Sequence, residues 1–351
     1  VSSPLELARP EIRALKAYEH AAWEPSLERM HANELPWAAS EDGTCDGLNR
    51  YPEPQPRALI ERLATLYDVP PECLLVGRGS DEAIDLVMRA FCRAAADAVI
   101  VCPPTFGMYA VAARIQGAEV VTVALVAQQG FTLDEPALLE RCRQRVKLVF
   151  LCSPNNPTGN RLSEGTVLRL AAALAGRALL VVDEAYVEFA DEGSLARQVS
   201  HYSHLVVLRT FSKAYGLAGA RCGSLIASPE IVSLLRKIIP PYALTQFTIE
   251  TVLRQLEPRA LALMRARVAA LCVQRAWLSA ALRSAAGVVH VWPSEANFVL
   301  VEFEDAAAAF GKARAAGLLV RDVRTQPGLE RALRITIGTP EQNRRLIEAL
   351  R

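Results

Sequence analysis

Lys213 lies in the run Thr210-Phe211-Ser212-Lys213-Ala214-Tyr215-Gly216, among apolar and hydroxyl side chains with no acid beside it. Such surroundings lower a lysine's pKa, and a neutral amine attacks carbonyl carbon. The chain holds only five lysines (Lys16, Lys147, Lys213, Lys237 and Lys312) against 34 arginines, so few amines compete for covalent chemistry. Arg221 follows eight positions after Lys213; with Thr210 and Ser212 it can hold an anion such as a phosphate. Asp183 ends a second apolar run, with Tyr186 three positions on. An acid there is costly unless paired. Taken alone, Asp183 fits a helix N-cap or a metal ligand; it also fits a carboxylate facing a protonated heteroaromatic nitrogen.

A third run, Ser153-Pro154-Asn155-Asn156-Pro157-Thr158-Gly159, is a tight turn whose Asn156 amide can donate to a ligand oxygen. Gly77-Arg78-Gly79-Ser80-Asp81-Glu82 joins a strand to a helix, where backbone amides can approach a phosphate. It is neither a Walker A loop nor the full dinucleotide fingerprint, because Glu82 stands third after Gly79. Together these parts ask for one ligand: a ring with a basic nitrogen, a phenol-like oxygen, an aldehyde and a phosphate. Pyridoxal phosphate has all four.

Asn156-Pro157-Thr158-Gly159, Asp183 with Tyr186, and Ser212-Lys213 with Arg221 resemble the pyridoxal-phosphate fold type I aminotransferases, class II subgroup. Ala32-Asn33-Glu34, Asn49-Arg50-Tyr51-Pro52-Glu53-Pro54-Gln55, Pro104-Thr105-Phe106-Gly107-Met108-Tyr109 and Leu333-Arg334-Ile335-Thr336-Ile337-Gly338 extend the resemblance over nearly the whole chain, toward the histidinol-phosphate aminotransferase branch. The resemblance implies a transfer of the amino group between L-histidinol phosphate and 2-oxoglutarate in histidine biosynthesis. Threonine-phosphate decarboxylation and aromatic amino-acid transamination share the scaffold and stay open as alternatives. A binding module without catalysis is disfavoured, because Lys213, Asp183 and Arg221 are all retained.

By the same resemblance, Lys213 captures the cofactor aldehyde and then moves the proton. Asp183 faces the ring nitrogen, Tyr186 and Asn156 bond the ring oxygen, and Tyr109 stacks on the ring. Ser80 and Asp81, through their backbone amides, join Thr210, Ser212 and Arg221 around the phosphate. Tyr51 reaches the neighbouring subunit's cofactor, which implies a homodimer. Arg334, helped by Arg321, meets the substrate anion, and Tyr18 and Asn33 come from an N-terminal lid. Alone, Tyr51-Pro52 is a turn, and any one arginine of 34 is as readily surface as site. The lid departs from the family pattern at Tyr18-Glu19-His20, where no Tyr-Pro-Gly step occurs, and Phe106 stands where a tyrosine is frequent.

The elements that must position these groups follow from periodicity. Apolar runs at 73–76, 98–102, 119–124, 147–152, 178–182, 204–208 and 224–227 fit strands buried on both faces. Helical patterns at 81–93, 107–116, 135–144 and 163–174 alternate with them. The alternation predicts an α/β fold: a large domain with a mainly parallel seven-stranded sheet, its ligand beyond the strands' carboxyl ends. After Pro240-Pro241 a long helical stretch at 248–285, strands at 288–292, 298–302, 318–321 and 332–337 and two helices read as a smaller α+β domain. The expected division is an arm at 1–35 packing with the small domain, a large domain at 36–241 and a small one at 242–351.

The 351 residues carry 39 basic and 38 acidic side chains, a net charge of +1, which draws the chain to neither nucleic acid nor anionic membrane. Half the residues (51%) are hydrophobic, enough for a large core without disulfides or a structural metal, and no metal site is expected. No uncharged apolar run approaches membrane-spanning length, and the N-terminus has no signal-peptide pattern. The eight cysteines, Cys45, Cys73, Cys92, Cys102, Cys142, Cys152, Cys222 and Cys272, form no C-x-x-C pair and read as reduced thiols of a cytoplasmic protein.

Overall fold

A computed structural model describes residues 3–19, 24, 26–38, 43, 47–143 and 145–351. His20, Cys45 and Gln144, named above, lie outside the described residues. Seven short apolar runs form one sheet: β1 (Leu74–Gly77), β2 (Ala98–Val101), β3 (Glu119–Thr122), β4 (Val146–Cys152), β5 (Leu179–Asp183), β6 (Leu205–Thr210) and β7 (Gly223–Ile226). Their order is β1-β7-β6-β5-β4-β2-β3. Only β7 runs antiparallel to its neighbours, β1 and β6.

Side chains alternate across the pleat, so each strand feeds two cores. Leu179 and Val181 of β5 join Val99, Phe150 and Val206 on one face, while Leu180 and Val182 join Ile100, Val149 and Val207 on the other. Helices Ser80–Phe91, Met108–Gln116 and Pro229–Arg236 cover the first face; Arg57–Tyr67, Glu164–Leu174 and Gln246–Gln255 cover the second. Each fully buried Leu or Phe stabilises this sandwich by roughly 1.5–3 kcal/mol. Helix starts follow local chemistry: Asp134 and Ser163 accept from Ala137 N and Thr166 N at 2.9 and 3.1 Å.

A second sheet, β8 (Val288–Val291), β9 (Phe298–Phe303), β10 (Arg321–Asp322) and β11 (Ala332–Thr336), is antiparallel throughout, in the order β10-β11-β9-β8. One face packs Val299, Val301, Leu333 and Ile335 on Leu278 and Leu282 of helix Pro258–Arg283 and Leu346 and Leu350 of helix Pro340–Leu350. Its other face presents Leu300, which meets Phe131 from the first sheet's connections and Val323 and Leu329 from the β10–β11 turn.

Three expectations change. The helix expected at 248–285 is two, Gln246–Gln255 and Pro258–Arg283. Pro258 forces Glu257 into extended backbone (ψ 147°) and starts the second helix. Of the run at 318–321 only Arg321 pairs, opposite Arg334, and the short strand ends at Asp322, opposite Leu333. The described start of the arm packs on the large sheet's helices, not on the small sheet. Leu7 and Ala8 enter the core with Phe91 and Leu234. Arg9 N donates to Ala90 O at 2.9 Å, and Ser3 Oγ to Glu230 Oε2 at the same distance. Leu5 and Ile12, partly buried, pack against the same cluster, and these few apolar contacts dock the arm.

Candidate active site

The carboxyl ends of β4, β5 and β6 open onto a cavity of about 630 Å³. Ser80, Asp81, Asn156, Asp183, Tyr186, Thr210, Ser212, Lys213, Arg221, Arg321 and Arg334 all line it, so most of the expected site residues converge. Lys213 opens onto this space rather than being sealed in the core. The walls still hold its ammonium below the ordinary lysine range, first by removing water and then through the Arg334 charge.

Asp183, the last residue of β5, is buried at 2% exposure. Burial pushes its carboxyl up to about 6, while two hydrogen bonds pull the other way. Tyr109 Oη donates to Oδ2 at 2.8 Å and Ala185 N to Oδ1 at 3.1 Å. Asn156 Nδ2 donates to Tyr186 Oη at 3.3 Å, and Arg334 Nη1 donates to Asn156 Oδ1. The Asn155 amide, which donates to Pro104 O at 2.9 Å and accepts from Thr105 Oγ1 at 2.8 Å, locks the 153–159 turn to the loop before Met108.

At the opposite end Thr210, Ser212 and Arg221 face the start of helix Ser80–Phe91. Arg221 Nη1 reaches Ser212 Oγ at 3.4 Å, and Nη2 reaches Asp81 Oδ2 at 3.1 Å. Gly79 takes φ +93°, a conformation only glycine adopts readily, and a Cβ there would come within 3.2 Å of Arg221 Nη2. Behind it, a Cβ on Gly223 would sit 2.8 Å from Gly79 Cα and from Arg209 O. Gly223→Ala is therefore expected to push the cradle forward. Apoprotein stability should fall by about 1–3 kcal/mol, and pyridoxal phosphate should bind more weakly in a fluorescence titration. Unchanged affinity would show that the seam does not shape the cradle.

Four expected residues lie elsewhere. Tyr109 is fully buried and stacks on Phe150 at 4.9 Å, so the expectation that its ring covers a ligand is corrected. Helix Met108–Gln116 starts one residue later than expected, and Tyr109 in its first turn points into the sheet, behind Asp183. The aromatic wall is Phe106, edge-on to Tyr109 at 5.5 Å; the tyrosine frequent at its position was the available signal. Tyr51 is half exposed and stacks on Tyr242 at 4.4 Å, outside the cavity. Tyr18 lines a separate cavity of about 240 Å³ with Glu53 and Gln55, and Asn33 lines neither. Val323 and Gln326 also line the main cavity, though no sequence pattern marks them.

A sequence model for aminotransferases of class I and II matches residues 27–350. The chain belongs to that family. The histidinol-phosphate aminotransferase of Stenotrophomonas maltophilia is 47% identical, covering 100% of this chain and 97% of that protein. Among solved structures, the histidinol-phosphate aminotransferase of Sinorhizobium meliloti in complex with pyridoxal-5'-phosphate aligns with a TM-score of 0.76 at 26% identity, over 86% of this chain and 82% of that one. The L-threonine-O-3-phosphate decarboxylase of Porphyromonas gingivalis aligns at 0.73 and 26%, over 86% and 90%. Class I and II aminotransferases use pyridoxal phosphate, and the residues present here fit it. An amine accessible to an aldehyde, a buried carboxylate, a hydroxyl-guanidinium cradle floored by glycine and a buried, unpartnered Arg334 Nε surround one cavity of cofactor size.

Proposed function

We propose that the chain moves the amino group of L-histidinol phosphate to 2-oxoglutarate, giving imidazole acetol phosphate and L-glutamate, as a step of histidine biosynthesis. The observation that carries this reading is the 47% identity along the whole chain to an enzyme of that name. The geometry agrees: Arg221 joins Asp81 and Ser212, while Arg321 and Arg334 enter the same cavity from the smaller sheet, Arg334 beside Asn156, which gives two separate guanidinium groups for two anions.

When bound, pyridoxal phosphate supplies an aldehyde that takes up the amine and a protonated ring that draws electrons from Cα. Thr210, Ser212, Arg221 and the amides of Ser80 and Asp81 fix its phosphate. Asp183 holds a proton on the ring nitrogen, and Asn156 and Tyr186 hold the ring oxygen. Lys213 would act as the free amine that takes the proton from the substrate's Cα and returns it on the cofactor side, the 1,3-transfer that moves the amino group. Arg334 and Arg321 hold the substrate phosphate, or a carboxylate of the keto acid, and so aim the Cα–H at Lys213.

Two sheets with largely separate cores fit a division into a large and a small domain. Ile249, Val252, Met264 and Val268 pack in the large sheet's core and Leu278 and Leu282 in the small one's, so the boundary falls within helix Pro258–Arg283 rather than at Pro240-Pro241. A homodimer in which Tyr51 completes the neighbouring site fits its place outside this chain's own cavity. A cytoplasmic setting fits the seven described cysteines, all free. Among the described residues no helix is long and apolar enough to cross a membrane.

Decarboxylation of threonine phosphate is the second reading, favoured by the likeness to the decarboxylase fold. A single-turnover mixing of the pyridoxal form with histidinol phosphate, threonine phosphate or phenylalanine separates them. Conversion of the cofactor band by histidinol phosphate alone supports the transaminase. Release of CO₂ from threonine phosphate would falsify it.

A further inference from the structure

We infer that Gln326 reads a ring N–H of the amino donor and so separates it from the keto-acid acceptor in the shared cavity. The inference rests on the reaction proposed above and names the residue that tells its two substrates apart.

The smaller sheet and its turn give the cavity four residues: Arg321, Val323, Gln326 and Arg334. Gln326 is held by its backbone on both sides. Its N–H donates to Val323 O at 2.9 Å, and its C=O accepts from Leu329 N at 3.1 Å. Val323 and Leu329 are core residues at 3% and 2% exposure, so the turn is anchored. On this fixed base, the Gln326 carboxamide oxygen Oε1 is buried and has no hydrogen-bond partner among the described residues. A buried acceptor left unpaired is costly; because Gln326 lines the cavity, a turn of its terminal carboxamide brings Oε1 to a ligand donor that satisfies it.

The neighbours say what that ligand group must be. Arg321 and Arg334 are donors only, and Arg334 Nε is likewise buried without a partner. They suit a phosphate or a carboxylate. A carbonyl oxygen is repelled by those anions and needs an N–H or O–H. 2-Oxoglutarate, ionised, offers only acceptor oxygens. Histidinol phosphate carries the same kind of anion plus an imidazole, whose neutral ring holds one N–H donor. The apolar Val323 beside Gln326 suits the face of such a ring. Arg334 and Arg321 thus serve both substrates, while Gln326 serves one. A site built to bond a ring N–H rejects a ring that lacks it, because the acceptor is then buried unpaired.

Gln326→Leu removes the acceptor at similar volume, and Gln326→Glu keeps an acceptor at the same place. Both half-reactions are followed separately by the cofactor band. Histidinol phosphate is mixed with the pyridoxal form and 2-oxoglutarate with the pyridoxamine form. Gln326→Leu should raise the half-saturating histidinol phosphate concentration about tenfold and leave 2-oxoglutarate within about twofold. Gln326→Glu should recover part of the loss for histidinol phosphate. As a binding readout, calorimetry on the wild-type pyridoxamine form compares histidinol phosphate with its two ring N-methyl isomers. Neither isomer's neutral ring carries an N–H, so both should bind about tenfold more weakly than the parent compound to the wild type, and at least one of them no worse than the parent to Gln326→Leu. Equal losses for both substrates in Gln326→Leu would make Gln326 an anion contact and overturn the inference. So would unchanged constants in Gln326→Leu, or wild-type indifference to both methyl isomers. The last holds even if the variants fail to fold. Wild-type protein that leaves histidinol phosphate unconverted would overturn the proposed reaction itself, and this inference with it.

Discussion

Lys213→Ala should abolish turnover, with the single-turnover rate on glutamate falling at least ~10,000-fold, because the variant loses both covalent capture and the proton-moving base. The fold should survive, since the side chain opens onto the cavity rather than filling the core; an unchanged melting temperature checks this. Borohydride reduction of the loaded wild type, followed by peptide mapping, should leave one stable adduct, on Lys213. The variant should leave none. Lys16 forms an exposed pair with Glu19, Lys237 donates to Arg13 O at 2.8 Å, and Lys312 donates to Leu350 O at 3.5 Å. Neither these three nor Lys147 lines the cavity. An adduct on any of the four would move the site.

Asp183→Asn should separate stability from activity. Burial raises the Asp183 carboxyl from 3.8 in the unfolded chain to about 6 in the fold. The folded protein therefore holds this proton more tightly than the unfolded one. That contribution to stability is fully present below pH 4 and is lost as pH rises through about 6. The span between the two values corresponds to about 3 kcal/mol. In denaturant titrations of the apoproteins, wild type should lose this amount relative to Asp183→Asn between about pH 4 and pH 7. The neutral amide can still accept from Tyr109 Oη. Catalysis should move oppositely, down at least about a hundredfold, because an amide cannot hold a proton on the bound ring nitrogen as an anion does. A flat stability difference across this range would show that Asp183 is not strained by its burial.

Much of this site was legible because its residues sit at strand ends. Lys213, Asp183 and Asn156 each follow a continuous apolar run, and parallel strands bring their ends together. The boundaries of β2 and β4 differed from expectation by one residue, within the play of a periodicity argument. What stayed hidden depends on rotation or long-range packing. Phe106 lies in the loop before helix Met108–Gln116 and Tyr109 in its first turn, and only the packing of that helix on the sheet decides which of the two aromatics lines the cavity. Gln326 lies in a turn without a motif and reaches the cavity only because β10 pairs with β11. The docking of the arm rests on a few apolar side chains, Leu5, Leu7, Ala8 and Ile12, too short a pattern to read without its partner surface.

The two arginines of the smaller sheet have a kinetic consequence as well. Arg321 and Arg334 are cross-strand neighbours, and neither forms an ion pair with a carboxylate among the described residues. Arg334 spends its hydrogen bond on neutral Asn156 and lies over the Phe298 ring at 5.2 Å. In a molecule of net charge +1, these two guanidiniums are a local concentration of positive charge at the cavity. Diffusing dianions are gathered toward it before any contact forms, over a screening distance of about 8 Å at physiological ionic strength. Encounter with a phosphorylated amine should thereby be faster than with a neutral amino acid of equal size. Added salt erases that advantage without touching the chemistry at Lys213.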